Sequence, residues 1–216
     1  MTAQPEPIGQ HPGLIAVLEE SRELGFLGQG PIGVHIRHSL AMAVVLDGLV
    51  GGRHSVDVLD LGAGGGVPGL VMALARPHWA IHLLDASSRR CTFLAASLAT
   101  LGIEGRVRVV QGRAEELGRD PLLRGRFDAV VARSFAAPSV TAECGRGFLD
   151  SHSWMVVAEP PEGAERRWGP GLAELALEDM GRCSSDGFSF QALHTTGPCP
   201  DRYPRRNGVP AKRPLF

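Results

Sequence analysis

The chain has 216 residues, 44% hydrophobic and 21% charged. That suits one globular domain, or at most two, with a core large enough to need neither metal nor disulfide staples. The four cysteines, at 91, 144, 183 and 199, form no CxxC pair, which makes a zinc site and a disulfide scaffold poor readings and points to reduced thiols in the cytoplasm. A net charge of −1 by itself suggests no polyanion partner, no long uninterrupted apolar run suggests a spanning helix, and the opening MTAQPEPIGQHPG lacks the basic-then-apolar pattern of a leader.

In chain order, residues 1–13 are rich in Pro and Gly and are expected to be mobile. Leu14, Ile15, Leu18 and Arg22 fall on a short helical pattern that stops near Gly25. A second helix is predicted over Ile32 to Leu49, with Ile36, Leu40, Ala43 and Val44 on one face, broken by Gly51 and Gly52. Val56–Leu61 reads as a buried strand and Gly62–Gly66 as a tight loop. Pro68 is expected to open a helix to about Arg76, because proline at a first helical position loses no hydrogen bond. Ala80–Leu84 is a second strand ending at Asp85, and Ser87 or Ser88 caps a helix to about Leu101. Strands follow at Val107–Gln111, Phe127–Ala132 and Trp154–Ala158, with a helix to about Phe148 between the last two. Residues 160–186 are ambiguous, with a possible helix over Leu172–Leu177, and Phe188–Leu193 alternates like a final antiparallel strand. Strands alternating with helices predict βαβ units, a mostly parallel sheet and helices on both faces. The end, CPDRYPRRNGVPAKRPLF, is expected to be extended and irregular. It holds Arg202, Arg205, Arg206, Lys212 and Arg213 against Asp201, a local +4 on a body of −5. Such a tail is a candidate phosphate-contacting element.

The strongest local signal is Asp60-Leu-Gly62-Ala-Gly64-Gly-Gly66, between a strand and a helix. Side-chain-free residues let backbone approach a ligand and adopt positive φ. Gly64, Gly66 and Gly69 also match GxGxxG, so a dinucleotide competes with S-adenosylmethionine for this loop. Asp60, read as lying at the mouth of the loop, would repel a pyrophosphate and suit a cationic ligand. Asp85 either accepts hydrogen bonds from ribose hydroxyls or caps the next helix. Ala114 and Glu115, in GRAEE (112–116), either read an adenine edge or begin a helix with favourable acids. Arg133 either meets a cofactor carboxylate or an RNA phosphate, or pairs with Asp128 or Glu143. Tyr203 either stacks on a base or packs the tail onto the body.

Taken together, DLGAGGGVPGL (60–70), LLDASSRRCTFL (83–94), GRAEEL (112–117), FDAVVARSFA (127–136) and RYPRRNGVPAKRPL (202–215) resemble the bacterial small-subunit rRNA guanine-N7 methyltransferases, the glucose-inhibited division protein B family. The glycine loop is common to many methyltransferases; Pro68-Gly69 and the terminal YPRR segment are more particular to this family. The resemblance implies a class I S-adenosylmethionine-dependent methyltransferase fold: a doubly wound, Rossmann-like α/β sheet of seven mostly parallel strands. Residues 1–50 would form a helical extension, 51–200 the methyltransferase domain, and 201–216 a basic tail packed on it. It further implies that Gly62, Gly64, Gly66, Asp85, Ala114 and Glu115 line the cofactor site with Arg133 beside them, and Asp60 joins them on the ground of its negative charge. Arg202, Arg205, Arg206, Lys212 and Arg213 would then face 16S rRNA or the small ribosomal subunit. His38 occupies the place of a frequent Arg-His pair. A cytoplasmic monomer with neither metal nor membrane is implied, and no acid–base pair, because guanine N7 carries no proton to remove. Three departures are Ala158-Glu159-Pro160 where the family has Leu-Lys-Gly, the lack of its Asn-Leu-Thr near the start, and Val67 and Ser134 in place of more usual residues. Glu159 leaves open another methyl acceptor for the same fold, and a non-catalytic RNA- or ribosome-binding relative is a further alternative.

Overall fold

The computed structural model describes residues 8–51, 53–160 and 167–216. The expectations for residues 1–7, for Gly52 as a helix breaker and for 161–166 lie outside these described residues. Five parallel strands come first in sequence: β1 (Asp57–Leu61), β2 (Ala80–Asp85), β3 (Val107–Gln111), β4 (Phe127–Ala132) and β5 (Leu149–Ala158). Their runs of Val, Leu and Ala suit strands covered on both faces. β1, between β2 and β4, is fully buried from Val58 to Leu61. Leu59 pairs with His82 on one side and Val130 on the other.

The sheet order is β3-β2-β1-β4-β5-β7-β6. β7 (Phe188–Thr195) runs antiparallel to both β5 and β6 (Leu177–Ser185). The helix expected over Leu172–Leu177 is a 3-10 helix set two residues earlier, and β6 begins at Leu177, where no strand was expected. The chain makes a short 3-10 turn at Pro170–Leu175, and Ala176 then turns left-handed, at φ 52°, into the strand. β6 is an edge strand of charged and small residues, and pairing with β7 rather than apolar content holds it in the sheet.

Helices cover both faces. On one side α1 (Pro12–Glu23), α2 (Ile32–Leu49), α3 (Gly69–Ala75) and α4 (Ser88–Leu101) share a core with the strands. On the other lie α5 (Ala114–Leu117), α6 (Pro138–Arg146), the 170–175 turn and the chain end. α2 matches its expected bounds, but Val44 is 53% exposed; the buried face carries Ile36, Met42, Ala43 and Leu46 instead. At 18 residues and mean hydropathy 1.2, α2 reaches the length and composition of a membrane-crossing helix, although charged residues interrupt its apolar run. It is the core helix of this face: Asp47 pairs with Arg76, Arg37 pairs with Asp186, and its apolar side packs on the sheet. α3 begins at Gly69, one residue later than expected, with Pro68 as its cap after a cis Val67–Pro68 bond. Ser87, not Ser88, caps α4, its hydroxyl accepting from Arg90 N.

The terminal segment is not free. Arg124 donates to the carbonyls of Cys199, Pro200 and Tyr203, and Arg119 to that of Pro204 at 2.7 Å. A short helix α7 (Val209–Lys212) interrupts the irregular course.

Candidate functional site

In an open parallel sheet the strand order reverses at one point, and the carboxyl ends of the two strands there diverge into a crevice. Here that point lies between β1 and β4, so the loop after Leu61 and Arg133 after Ala132 face each other. Gly62, Gly64 and Gly66 all have positive φ, at 75°, 53° and 94°. A Cβ on Gly62 would sit 2.6 Å from the Phe135 ring. One on Gly66 would sit 2.4 Å from Leu70, so Gly66 lets α3 pack against the loop rather than lining the crevice.

The crevice has two chambers. One of about 280 Å³ is lined by Gly62–Gly65, Phe26, Gly28, His35, Arg90 and Arg133. No carboxylate lines it, so its charge is positive. The second, about 220 Å³, is lined by Gly62, Asp85, Arg90, Ala114, Glu115 and Phe135. Asp85 stands at the end of β2, its Oδ2 accepting from Gly64 N at 3.0 Å and its Oδ1 from Ser87 N at 2.8 Å. Asp85 thus anchors the start of α4 and the glycine loop while it lines the second chamber. Arg90, 3.6 Å from Asp85, stands between the chambers.

Asp60 does not lie at the mouth of the loop. It is 1% exposed and absent from the lining of both chambers, and its Oδ2 accepts from Gly69 N at 2.8 Å. Burial pushes its carboxyl up to about 7, against the Gly69 hydrogen bond, while Asp85 raises it further and Arg133 lowers it. Glycine at 69 is needed here for space, because a Cβ would meet Leu83 and the Asp60 carboxylate. Arg133 pairs with neither Asp128, which holds Arg53, nor Glu143, which holds Arg205. It meets His35, Nη2 to Nδ1 at 2.7 Å, and its buried Nη1 has no partner. Burial lowers the guanidinium pKa and Asp60 raises it.

The basic tail divides in two. Arg205 is structural: its guanidinium grips the fully buried Glu143, Nη2 to Oε2 at 2.6 Å, and also donates to Arg213 O. A side chain so engaged is not offered to RNA. Arg206, Lys212 and Arg213 are exposed, and Arg202 is exposed beside Glu174. Arg119, Arg202, Arg205 and Arg206 line an open groove of about 360 Å³. Tyr203 is 3% exposed, and its hydroxyl donates to Glu174 at 2.9 Å, so it packs the tail and stacks on no base. Glu115 accepts from Gly208 N at 3.1 Å, tying the tail to the wall of the second chamber. His38 is a core residue, its ring edge-on to Phe188 and Phe190; burial, with Arg133 and His35 adding to it, lowers its pKa to about 4. Glu159 is buried and accepts from Trp168 Nε1 at 3.0 Å, so its side chain is engaged inside the fold.

Three contributors escaped the sequence reading. Ser21 donates to Gly65 O at 3.0 Å, Phe26 backbone abuts Gly65, and His35 meets Arg133. All bring the N-terminal helices to the loop. They join residues 39 to 98 positions apart, and no local pattern signals such pairs.

Glycine loop, acid at the end of the second strand, and a parallel sheet closed by one reversed strand together define a class I methyltransferase fold. Solved structures of that shape include an O-methyltransferase family protein from Burkholderia thailandensis (TM-score 0.54, 12% identity, 75% of this chain and 57% of that one) and the [4+2]-cyclase SpnF (TM-score 0.60, 15% identity, 88% and 95%). Residues 32–159 match the family of rRNA small subunit methyltransferase G. Ribosomal RNA small subunit methyltransferase G of Prochlorococcus marinus (strain NATL2A) is 36% identical over 165 residues, covering 73% of this chain and 66% of that protein. Its counterpart in Deinococcus deserti is 36% identical over 180 residues, covering 78% and 71%. The chain belongs to the rRNA small subunit methyltransferase G family, and the match spans about two thirds of the length of these relatives.

Proposed function

We propose that the protein transfers a methyl group from S-adenosylmethionine to N7 of a guanine in the RNA of the small ribosomal subunit. The observation that carries this reading is the two-chambered crevice at the β1/β4 reversal: one chamber cationic, the other bearing the Asp85 and Glu115 carboxylates, joined over Gly62. A pyrophosphate would favour a uniformly cationic site. S-adenosylmethionine instead combines a carboxylate, a ribose diol and a positive centre, and it supplies an electrophilic methyl on sulfonium.

Each wall has a separate task. Arg133 lines the cationic chamber and would meet the carboxylate there. Asp85 keeps acceptor capacity for ribose hydroxyls, since each of its oxygens takes one backbone N–H and has a second lone pair. Ala114 and Glu115 stand where a base edge would lie. Asp60 stiffens the loop from beneath. Guanine N7 offers a free lone pair, so the chain needs to align rather than deprotonate it. The exposed cations Arg202, Arg206, Lys212 and Arg213, with Arg119, would meet phosphates and position 16S rRNA or the assembled subunit. We place the enzyme in the cytoplasm as a monomer.

Titration calorimetry tests the division of labour. Asp85→Ala is expected to weaken S-adenosylmethionine binding, whereas Arg206→Ala with Lys212→Ala leaves it intact and flattens the salt dependence of RNA binding. Equal effects of both changes on cofactor affinity would refute the assignment.

A further inference from the structure

We propose that His35 is the positioning residue of this site. Its neutral imidazole holds the Arg133 guanidinium at the wall of the cationic chamber, where it can meet a ligand carboxylate, and it couples that grip to the 26–35 segment. The inference rests on the cofactor reading above and adds to it a residue and a dependence on proton concentration.

The geometry fixes the state of the ring. A guanidinium has only donors, so Nδ1, 2.7 Å from Arg133 Nη2, must be the acceptor and carry no proton. Nε2 then carries the hydrogen and donates to Gly28 O at 3.1 Å. Both ring nitrogens are committed, and the side chain is buried and lines the cationic chamber beside Arg133. Gly28 and Phe26, from the turn between α1 and α2, form the same wall. The imidazole thus bridges a helix of the N-terminal region to the first residue after β4.

A second proton on the ring would set N–H against N–H and place a charge beside a charge. The groups facing His35 reinforce this. Burial lowers its pKa first, then Arg133; the Gly28 carbonyl raises it, and Arg22 from α1 lowers it again. His38 lies one turn further along α2, Asp60 lies beneath Arg133, and Arg90 faces the same chamber from α4. Asp60, the nearest carboxyl, holds its proton over the acidic range and so offers no charge to neutralise a protonated ring. As pH falls below the ordinary imidazole range near ~6.5, Arg133 loses its support and the affinity for a carboxylate-bearing ligand drops with it.

The test compares wild type with His35→Asn, whose Oδ1 can still accept from Arg133 but does not titrate, and His35→Phe, which keeps the volume without an acceptor. S-adenosylmethionine affinity is measured by calorimetry between pH 5 and 8, and the side-chain ¹⁵N resonances of the ligand-free protein are recorded over the same range. Expected are a tautomer bare at Nδ1, weakening of wild-type binding on acidification, a flatter profile for His35→Asn, and about tenfold weaker binding by His35→Phe at pH 8. A proton on Nδ1 at pH 8, equal affinity of wild type and His35→Phe, or identical pH profiles of wild type and His35→Asn would overturn the proposal. A wild-type protein that binds no S-adenosylmethionine while showing the bare Nδ1 would instead refute the cofactor reading and leave the His35–Arg133 bond established.

Discussion

Two buried titratable residues set opposite pH slopes on this fold. Asp60 holds its proton to about pH 7, well above the unfolded value of 3.8. Its contribution is therefore complete in acid and is lost as pH rises from about 4 to 7, a loss of up to about 4 kcal/mol. His38 has its pKa lowered from 6.5 to about 4. Its contribution is present above pH 6.5 and is lost as pH falls, by up to about 3 kcal/mol. The slopes oppose each other in the wild type, so single variants expose them. Denaturant unfolding should show Asp60→Asn gaining on wild type as pH rises from 4 to 7, and His38→Phe gaining as pH falls from 6.5 to 4. Parallel profiles for wild type and variant would contradict the burial argument. At the same scale, Arg205→Ala strands the carboxylate of Glu143, which is 0% exposed. It should cost about 3 kcal/mol and lower Tm. An unchanged Tm with lost RNA binding would return Arg205 to the RNA surface.

At the scale of elements, the glycine loop is the part most exposed to substitution. Gly62→Ala combines a left-handed backbone with a 2.6 Å approach to Phe135. It should displace the ring from the second chamber and weaken cofactor binding at least tenfold; calorimetry that shows wild-type affinity would mean the loop has no role at the ligand. This loop was legible in sequence because glycine spacing is local. So were the parallel strands, whose apolar runs declare burial on both faces. β6 was not: Leu177 is its one fully buried residue, and the rest is Glu, Asp, Met, Gly, Arg, Cys and Ser paired to β7 alone. Tertiary pairing overrode weak strand preference there. The tail was legible as basic, but charge does not reveal engagement. Only the fold shows that Arg205 serves Glu143 while Arg206 stays exposed. The same holds for Asp60: its place before the loop was clear, and its depth beneath Gly69 was not.

Across the whole molecule, the N-terminal helices, the crevice and the basic tail form one connected body. Ser21 and His35 reach the crevice from one side, and Gly208 clasps Glu115 from the other. A ligand in the crevice is therefore expected to stabilise both ends of the chain, which hydrogen exchange at 26–35 and 199–213 would register as slower on adding S-adenosylmethionine. The function proposed for this body is delivery of a methyl group to guanine N7 in small-subunit RNA. Its most direct test is methyl transfer from isotopically labelled S-adenosylmethionine to small ribosomal subunits and to naked 16S rRNA, followed by nucleoside analysis. Label recovered as 7-methylguanosine, abolished by Asp85→Ala, is the result predicted; label in another nucleoside, or none in either substrate, would contradict it.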